Sequence, residues 1–388
     1  MTKYLWCCVL LTVCCSGSPS SQEPDQQLSH LNSIQQRIES RTFPSVFQAW
    51  NAADNLPQEN KWTTMARHDL VFHGIRAFGL EWDNVHQGLA TGVTPESIPE
   101  GLTIRRDLLA KNPNIVLIAE IRYRDAGTNY LPENHEWWLR NEDGSLAMGW
   151  EEGGFIKIDF SNPDYQAAMA ARAAAVVQSG VFDGIMVDWW RDEDRLELIQ
   201  TVREAIGPDA IILANANDRT TPLTAPYING FFMECYRSES MEQWQQIAES
   251  LVWAEQNLRR PVINCLESWF HESRQDLHLM RLTTTMSLTL SNGCALFSDP
   301  NPLPTGDHLH NWYPFWNRGL GTALAPGEHC TDGSVLREFT NGAALYNPAG
   351  NADVTVTFPE ERTSRATGQR GRTHTVPGWD GDIFEATE

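Results

Sequence analysis

Five carboxylates lie in or directly after short apolar runs of this 388-residue chain. Asp188 closes the run Phe182-Asp-Gly-Ile-Met-Val-Asp188 and is followed by Trp189 and Trp190. Glu234 lies between Met233 and Cys235, with Tyr236 next. Glu267 precedes Ser268 and Trp269, Asp299 ends another run, and Glu120 sits within one more. Trp312, Tyr313, Phe315 and Trp316 follow the last of them. Paired carboxylates with aromatic neighbours suit glycosidic-bond chemistry. One carboxylate attacks or activates water, and the second protonates the leaving oxygen. A Trp face packs against the C–H side of a sugar ring. Asp188 and Glu234 are the candidate catalytic pair, because each directly follows an apolar strand and leads into aromatics. His73, Asn215, Asn217 and Glu267 are candidate polar contacts to a substrate, as is Asp299. Trp189, Trp190, Tyr236 and Trp269 are candidate walls.

A second pattern is cationic. The 29 cations are 25 Arg and only 4 Lys. Arg76, Arg122 and Arg124, Arg191, Arg219, Arg237, Arg274 and Arg318 follow the second to eighth runs in turn. Arginine grips sulfate or carboxylate with two parallel hydrogen bonds. Arg122, Arg191 and Arg237 therefore point to an anionic glycan, sulfated or uronate. The competing reading is that these arginines pair with the same strand-end acids. A negative mouth around them would favour a neutral sugar.

The elements that must position these groups are legible. Eight apolar runs recur: Ser45–Trp50, Asp69–His73, Asn114–Arg122, Gly184–Trp189, Ala210–Asn215, Gly230–Cys235, Pro261–Glu267 and Cys294–Asp299. Continuous rather than alternating apolar residues mark strands buried on both faces of a parallel sheet. Helix-like stretches lie between them. The clearest is Pro163–Ser179, with Ser161 or Asn162 as cap; others are Leu196–Ile206, Met241–Asn257 and Leu277–Ser291. The pattern predicts an α/β chain, a (β/α)8 barrel over 43–325, with chemistry at the C-terminal ends of its strands. Val335–Phe339, Gly342–Tyr346 and Val354–Phe358, separated by Asn-Gly and Asn-Pro-Ala-Gly turns, predict a small antiparallel β-domain over 326–388.

The ends and the composition bound the rest. Residues 1–21 read as an export signal, a short cationic start followed by an apolar run and small residues. Cys14 and Cys15 leave a lipid anchor open, although Val13 stands where a lipoprotein signal carries a small residue. Residues 22–42 read as a linker or short leading helix. A secreted or periplasmic location follows. The net charge of −21 disfavours nucleic acid. The only expected contact with a membrane is the anchor, and a monomer is expected. There is no HExxH or CxxC, and His68, His73, His86, His135, His308 and His310 show no metal-ligand spacing, so no metal or cofactor is expected. Cys235, Cys265 and Cys294 fall in separate predicted strands and read as buried residues.

The segment Gly153–Trp190, with His-Asp-Leu-Val-Phe-His-Gly before it and Asn-Gly-Phe-Phe-Met-Glu-Cys-Tyr after, resembles the glycoside-hydrolase-like (β/α)8 families. These are distant relatives of the polygalactosaminidase and α-amylase/α-galactosidase groups. The resemblance covers roughly residues 43–300. It implies Asp188 as nucleophile at the end of the fourth strand, with Glu234 the best match for the acid/base. A narrower resemblance to endo-fucanases would give the arginines a purpose. The fourth strand carries Val-Asp where the large clan with an Asn-Glu acid/base differs, which sets Glu267 aside as nucleophile. The expectation is an exported, retaining, endo-acting polysaccharide hydrolase. Two alternatives remain: a non-catalytic carbohydrate-binding lipoprotein on the same barrel, and a metal-dependent hydrolase or lyase using the strand-end acids and His73.

Overall fold

The computed structural model describes residues 33–236, 240–269, 274–299 and 308–387, apart from the side chains of Tyr236 and Trp269. The export-signal reading therefore lies outside the described residues, as do Arg237 and the first part of the linker. Eight parallel strands form one sheet: β1 Phe47–Ala49, β2 Leu70–His73, β3 Val116–Glu120, β4 Gly184–Val187, β5 Ile211–Asn215, β6 Gly230–Tyr236, β7 Cys265–Trp269 and β8 Cys294–Ser298. They pair in sequence order, and a parallel bridge between Val46 and Ala295 closes the barrel from β1 to β8.

Both strand faces are apolar because both are buried. Phe47, Leu70, Phe72, Val116, Ile118, Met186, Ile211, Leu213, Phe232, Cys265 and Leu296 fill the barrel interior. Their neighbours Val71, Leu117, Ile185, Ile212, Phe231 and Leu266 belong to the outer core. Here they pack beneath the helices, as strand alternation requires. Gly184 and Gly230 open their strands where a Cβ would meet the carbonyl oxygens of Ile211 and Ile263 at 2.0 and 1.8 Å, so no side chain fits.

The helices are α1 Ile34–Glu39, α2 Lys61–Met65, α3 Ile98–Lys111, α4 Pro163–Gln178, α5 Leu196–Ile206, α6 Met241–Asn257 and α7 Leu277–Leu290. Asn162 caps α4, accepting from the backbone N–H groups of Asp164 and Tyr165. The fifth connection differs from the expected βα unit. Between β5 and β6 there is only a 3-10 turn, Ala225–Tyr227, because this short stretch carries Pro222 and Pro226, which remove helical donors.

Residues 34–42 do not form a linker. Arg37 of α1 is buried and pairs with Asp183, as does Arg105 of α3 at 2.6 Å. Asp183 also accepts from the N–H of Leu117 at 2.9 Å. This cluster sits just before β4 begins, at the end of the barrel opposite the strand C-termini. Burial pushes the Asp183 carboxyl up, but Arg105 and Arg37 outweigh it and hold the pKa below the ordinary value.

The C-terminal sheet contains the three predicted strands and more. Its strands are β9 Glu328–His329, β10 Val335–Phe339, β11 Gly342–Asn347, β12 Val354–Ser364, β13 Arg370–Val376 and β14 Asp380–Ala386. All are antiparallel, in the order β9-β10-β11-β14-β12-β13. The sheet docks on α7, where Arg281 grips Asp380 through two nitrogens at 2.9 and 2.6 Å.

Candidate active site

The alternation that fills the barrel continues one step past its last apolar layer, and there the inward positions turn polar. Counting by twos from Ile118, Met186, Leu213, Phe232, Cys265 and Leu296 reaches Glu120, Asp188, Asn215, Glu234, Glu267 and Ser298. Six consecutive strands, β3 to β8, thus deliver one hydrogen-bonding side chain each to the same level of the mouth.

Asn215 is the centre of the group. Its Nδ2 donates to Asp188 Oδ1 and to Glu234 Oε2, both at 2.8 Å. The two oxygens are therefore at most 5.6 Å apart, twice that bond length. Asp188 Oδ1 also accepts from the N–H of Trp189 at 3.0 Å, and Oδ2 lies 3.9 Å from Arg122 Nη1. Arg122 pairs with Glu120 at 2.8 Å, and Glu120 accepts from the indole N–H of Trp50 at 2.9 Å. On the other side His308 Nε2 lies 3.7 Å from Glu234 Oε1, while its Nδ1 is 2.9 Å from Glu267 Oε2. Ser298 donates to Glu267 as well.

The two central carboxyls differ in environment. Burial pushes Glu234 up to about 8; Asp188 and Glu267 add to the rise, and His308 and Asn215 oppose it. Burial also raises Asp188, but Arg122 lies beside it and favours its charged form. Two like carboxyls thus share one donor but sit in unlike environments, one beside a guanidinium and one pushed toward its neutral form, as acid-plus-nucleophile chemistry requires.

Four of the five non-glycine residues with left-handed backbone among the described residues follow barrel strands: Trp50, Trp189, Asn217 and His308, with φ from 48° to 54°. Such conformations cost about 1 kcal/mol or more each and persist only where contacts hold them. Trp189 is held through its carbonyl, which accepts from Tyr123 Oη at 2.8 Å and Arg195 Nη2 at 3.3 Å. Asn217 is held through Nδ2, which donates to the Glu234 carbonyl at 2.8 Å. Trp50 stacks on His308 with ring centres 4.9 Å apart.

The connection from β3 to α4 forms a cover. It folds back as the short ladder of Asp125–Ala126 with Ile156–Lys157. Phe155 lies 4.7 Å under the Arg122 guanidinium, and Arg124 lies 4.6 Å over Trp189.

Several expected contacts are placed elsewhere. Trp190 is not a wall: it is completely buried, and its indole N–H donates to Thr224. The left-handed Trp189 separates the two aromatics, leaving Trp189 41% exposed beside Asp188. Glu267 is fully buried and serves His308 rather than a substrate. Asp299 has outward strand parity, and its carboxylate binds Arg274 at 2.9 Å; Ser298 is the inward residue. His73 also has outward parity. Its charged neighbour is Lys61 of α2, and burial lowers its pKa. Asn215 is buried and positions carboxylates, a role its residue type did not disclose.

Five of the seven described arginines of the pattern form ion pairs. Arg76 pairs with Glu81, Arg124 with Asp125, and Arg274 with both Asp54 and Asp299. Arg122 faces Glu120, Asp125 and Asp188. Arg318 binds Asp69, which precedes β2 at the opposite end of the barrel. Arg219 reaches Asn217 Oδ1 at 3.4 Å, and Arg191 is exposed.

No protein-family model and no curated protein sequence matches this chain. Solved structures do. A noncanonic maltogenic alpha-amylase from Thermotoga neapolitana aligns over 88% of this chain and 99% of its own, with a TM-score of 0.55 and 11% identity. An alpha-amylase from Malbranchea cinnamomea aligns over 92% of this chain and 98% of its own, with the same TM-score and identity. The chain shares with these structures the fold of a (β/α)8 barrel. Coverage of that extent includes part of the C-terminal sheet. The expected likeness to glycoside-hydrolase barrels therefore holds for the architecture.

Proposed function

We propose that this chain hydrolyses glycosidic bonds with retention of configuration, using Asp188 as nucleophile and Glu234 as acid/base. The single observation that carries the reading is the shared Asn215 amide. It keeps the bonded oxygens of the two carboxyls no more than 5.6 Å apart, a bound that accommodates the about 5–5.5 Å of retaining enzymes and lies under the roughly 6.5–9.5 Å of inverting ones. In the first step Asp188 bonds to the anomeric carbon as the glycosidic C–O bond breaks. The Glu234 proton passes to the leaving oxygen. In the second, Glu234 takes a proton from water, whose oxygen displaces Asp188. Glu234 begins protonated because burial and neighbouring carboxylates favour the neutral acid.

The mouth favours a neutral glycan over a sulfated or uronate one. Glu120, Asp125, Asp188, Glu234 and Glu267 cluster there, and Arg122 and Arg124 are already engaged with them. An added anion would have to displace those pairs. Because the two matched structures are alpha-amylases, α-glucans are the first substrates to try.

The test incubates the protein with starch, other neutral polysaccharides, polyuronates and sulfated fucan, and measures new reducing ends. The expected result is release from a neutral glycan, abolished in Asp188→Asn and Glu234→Gln variants that fold normally. An oligosaccharide ladder would support the endo action read from the sequence. Near-normal turnover in either variant overturns the assignment. Export rests on residues 1–21 and is checked by the N-terminus of the protein recovered outside the cell.

A further inference from the structure

Each ring nitrogen of His308 faces a carboxylate of a different strand. Nδ1 lies 3.0 and 2.9 Å from the two oxygens of Glu267 on β7, and Nε2 lies 3.7 Å from Glu234 on β6. A carboxylate can only accept, so Nδ1 carries a hydrogen toward Glu267. Glu267 is fully buried, and Ser298 of β8 donates to it as well, so its geometry is set from two sides. His308 itself is 2% exposed, locked between the rings of Trp50 and Phe232 at 4.9 and 5.9 Å. It adopts a left-handed φ of 54°. A buried imidazole in a costly backbone conformation, aimed at the acid on one side and anchored on the other, is more than packing requires. Its burial keeps it from a substrate, so it acts through Glu234.

We propose that His308, oriented by Glu267, is a positioning residue held as imidazolium that balances the charge of Glu234 each time that group gives up its proton. The inference rests on Glu234 being the acid/base of the proposed hydrolase. No proton passes through His308. The Glu234 proton goes to the leaving oxygen and returns from water, while both imidazole N–H bonds stay intact. Other charged or titratable groups also bear on this pair among the described residues. Asp188, linked to Arg122 and Glu120, faces Glu234, and His310 Nδ1 donates to the His308 carbonyl at 3.2 Å. Asp188 works against ionised Glu234, which makes a compensating cation useful.

The charge of Glu234 can be read without any substrate. A water-soluble carbodiimide with an amine nucleophile labels protonated carboxyls, and peptide mass spectrometry follows Glu234 as pH is varied. In the unaltered protein, labelling should fall by half near pH 8. In His308→Gln the midpoint should rise by about one to three pH units, as expected when a unit charge about 4 Å away is removed. Glu267→Gln, nearly isosteric, removes a carboxylate that by itself raises Glu234, but it also takes away the charge that keeps His308 an imidazolium; with the stronger opposing cation lost, the midpoint should still rise. With a merely structural His308, only the loss of the Glu267 charge would be felt, and the Glu267→Gln midpoint would fall. A midpoint that fails to rise in either variant, with thermal unfolding near that of the parent, overturns the proposal. If His308→Gln does not fold, Glu267→Gln alone decides. Failure to cleave any glycan would refute the hydrolase reading and leave these midpoints as they are, so the two failures are distinguishable.

Discussion

Asn215→Ala is the most informative single change. The amide donates one 2.8 Å bond to each carboxyl, so its removal separates positioning from chemistry without touching either acid. Hydrogen bonds to charged groups contribute about 1.5–3 kcal/mol each. Only what differs between ground and transition state alters the rate. As the reaction proceeds Glu234 gains charge and Asp188 loses it, so the bond to Glu234 strengthens while the other weakens. The two changes partly offset, so at most one such bond is felt in kcat, a loss of up to about 150-fold at 1.36 kcal/mol per decade. Asn215 holds down the pKa of both carboxyls, so both limbs of the pH–rate profile should move to higher pH together. The assay is reducing-end release across pH on the best glycan, alongside thermal unfolding. A kcat within about threefold of the parent, with both limbs unmoved, would refute the reasoning.

If the proposed hydrolysis holds, the unaltered protein should lose kcat/KM as pH rises through about 8, where Glu234 gives up its proton; a basic limb below pH 6 would contradict the acid assignment. Asp183→Asn leaves Arg37 and Arg105 buried without their anion and should cost about 3–5 kcal/mol in urea unfolding. The folded pKa of Asp183 is depressed, so its contribution is present above the ordinary carboxylate value and is lost as pH falls through the folded one. The gap between parent and variant should therefore narrow in acid. Trp189→Ala should raise KM while unfolding is nearly unchanged, because the ring is 41% exposed. Trp190→Ala should instead cost about 3–5 kcal/mol of stability, as expected for a fully buried Trp.

Much of this was readable in the order of residues. Burial on both faces writes each barrel strand as an unbroken apolar run, and all eight runs are strands in the structure. Asn162 before Pro163 announced a helix start, because a capping side chain and a proline satisfy needs local to one turn. Asp188 and Glu234 were visible as the first polar residues after such runs. Strand parity, also local, separates Ser298 from Asp299 and sets His73 on the outer face. What chain order did not contain was partnership. His308 meets Glu267 and Glu234 across 41 and 74 positions, at distances set only when β6, β7 and β8 close side by side. Of the arginines after the strands, Arg76, Arg122 and Arg124 pair with acids near them in the chain, but Arg274 meets Asp54 and Arg318 meets Asp69 across 220 and 249 positions, which only the fold brings together. A residue's burial and period are dictated by its near neighbours along the chain. The state of the central carboxyls depends on groups far away in sequence, so only the closed barrel decided how Asp188, Glu234, Glu267 and His308 act on one another.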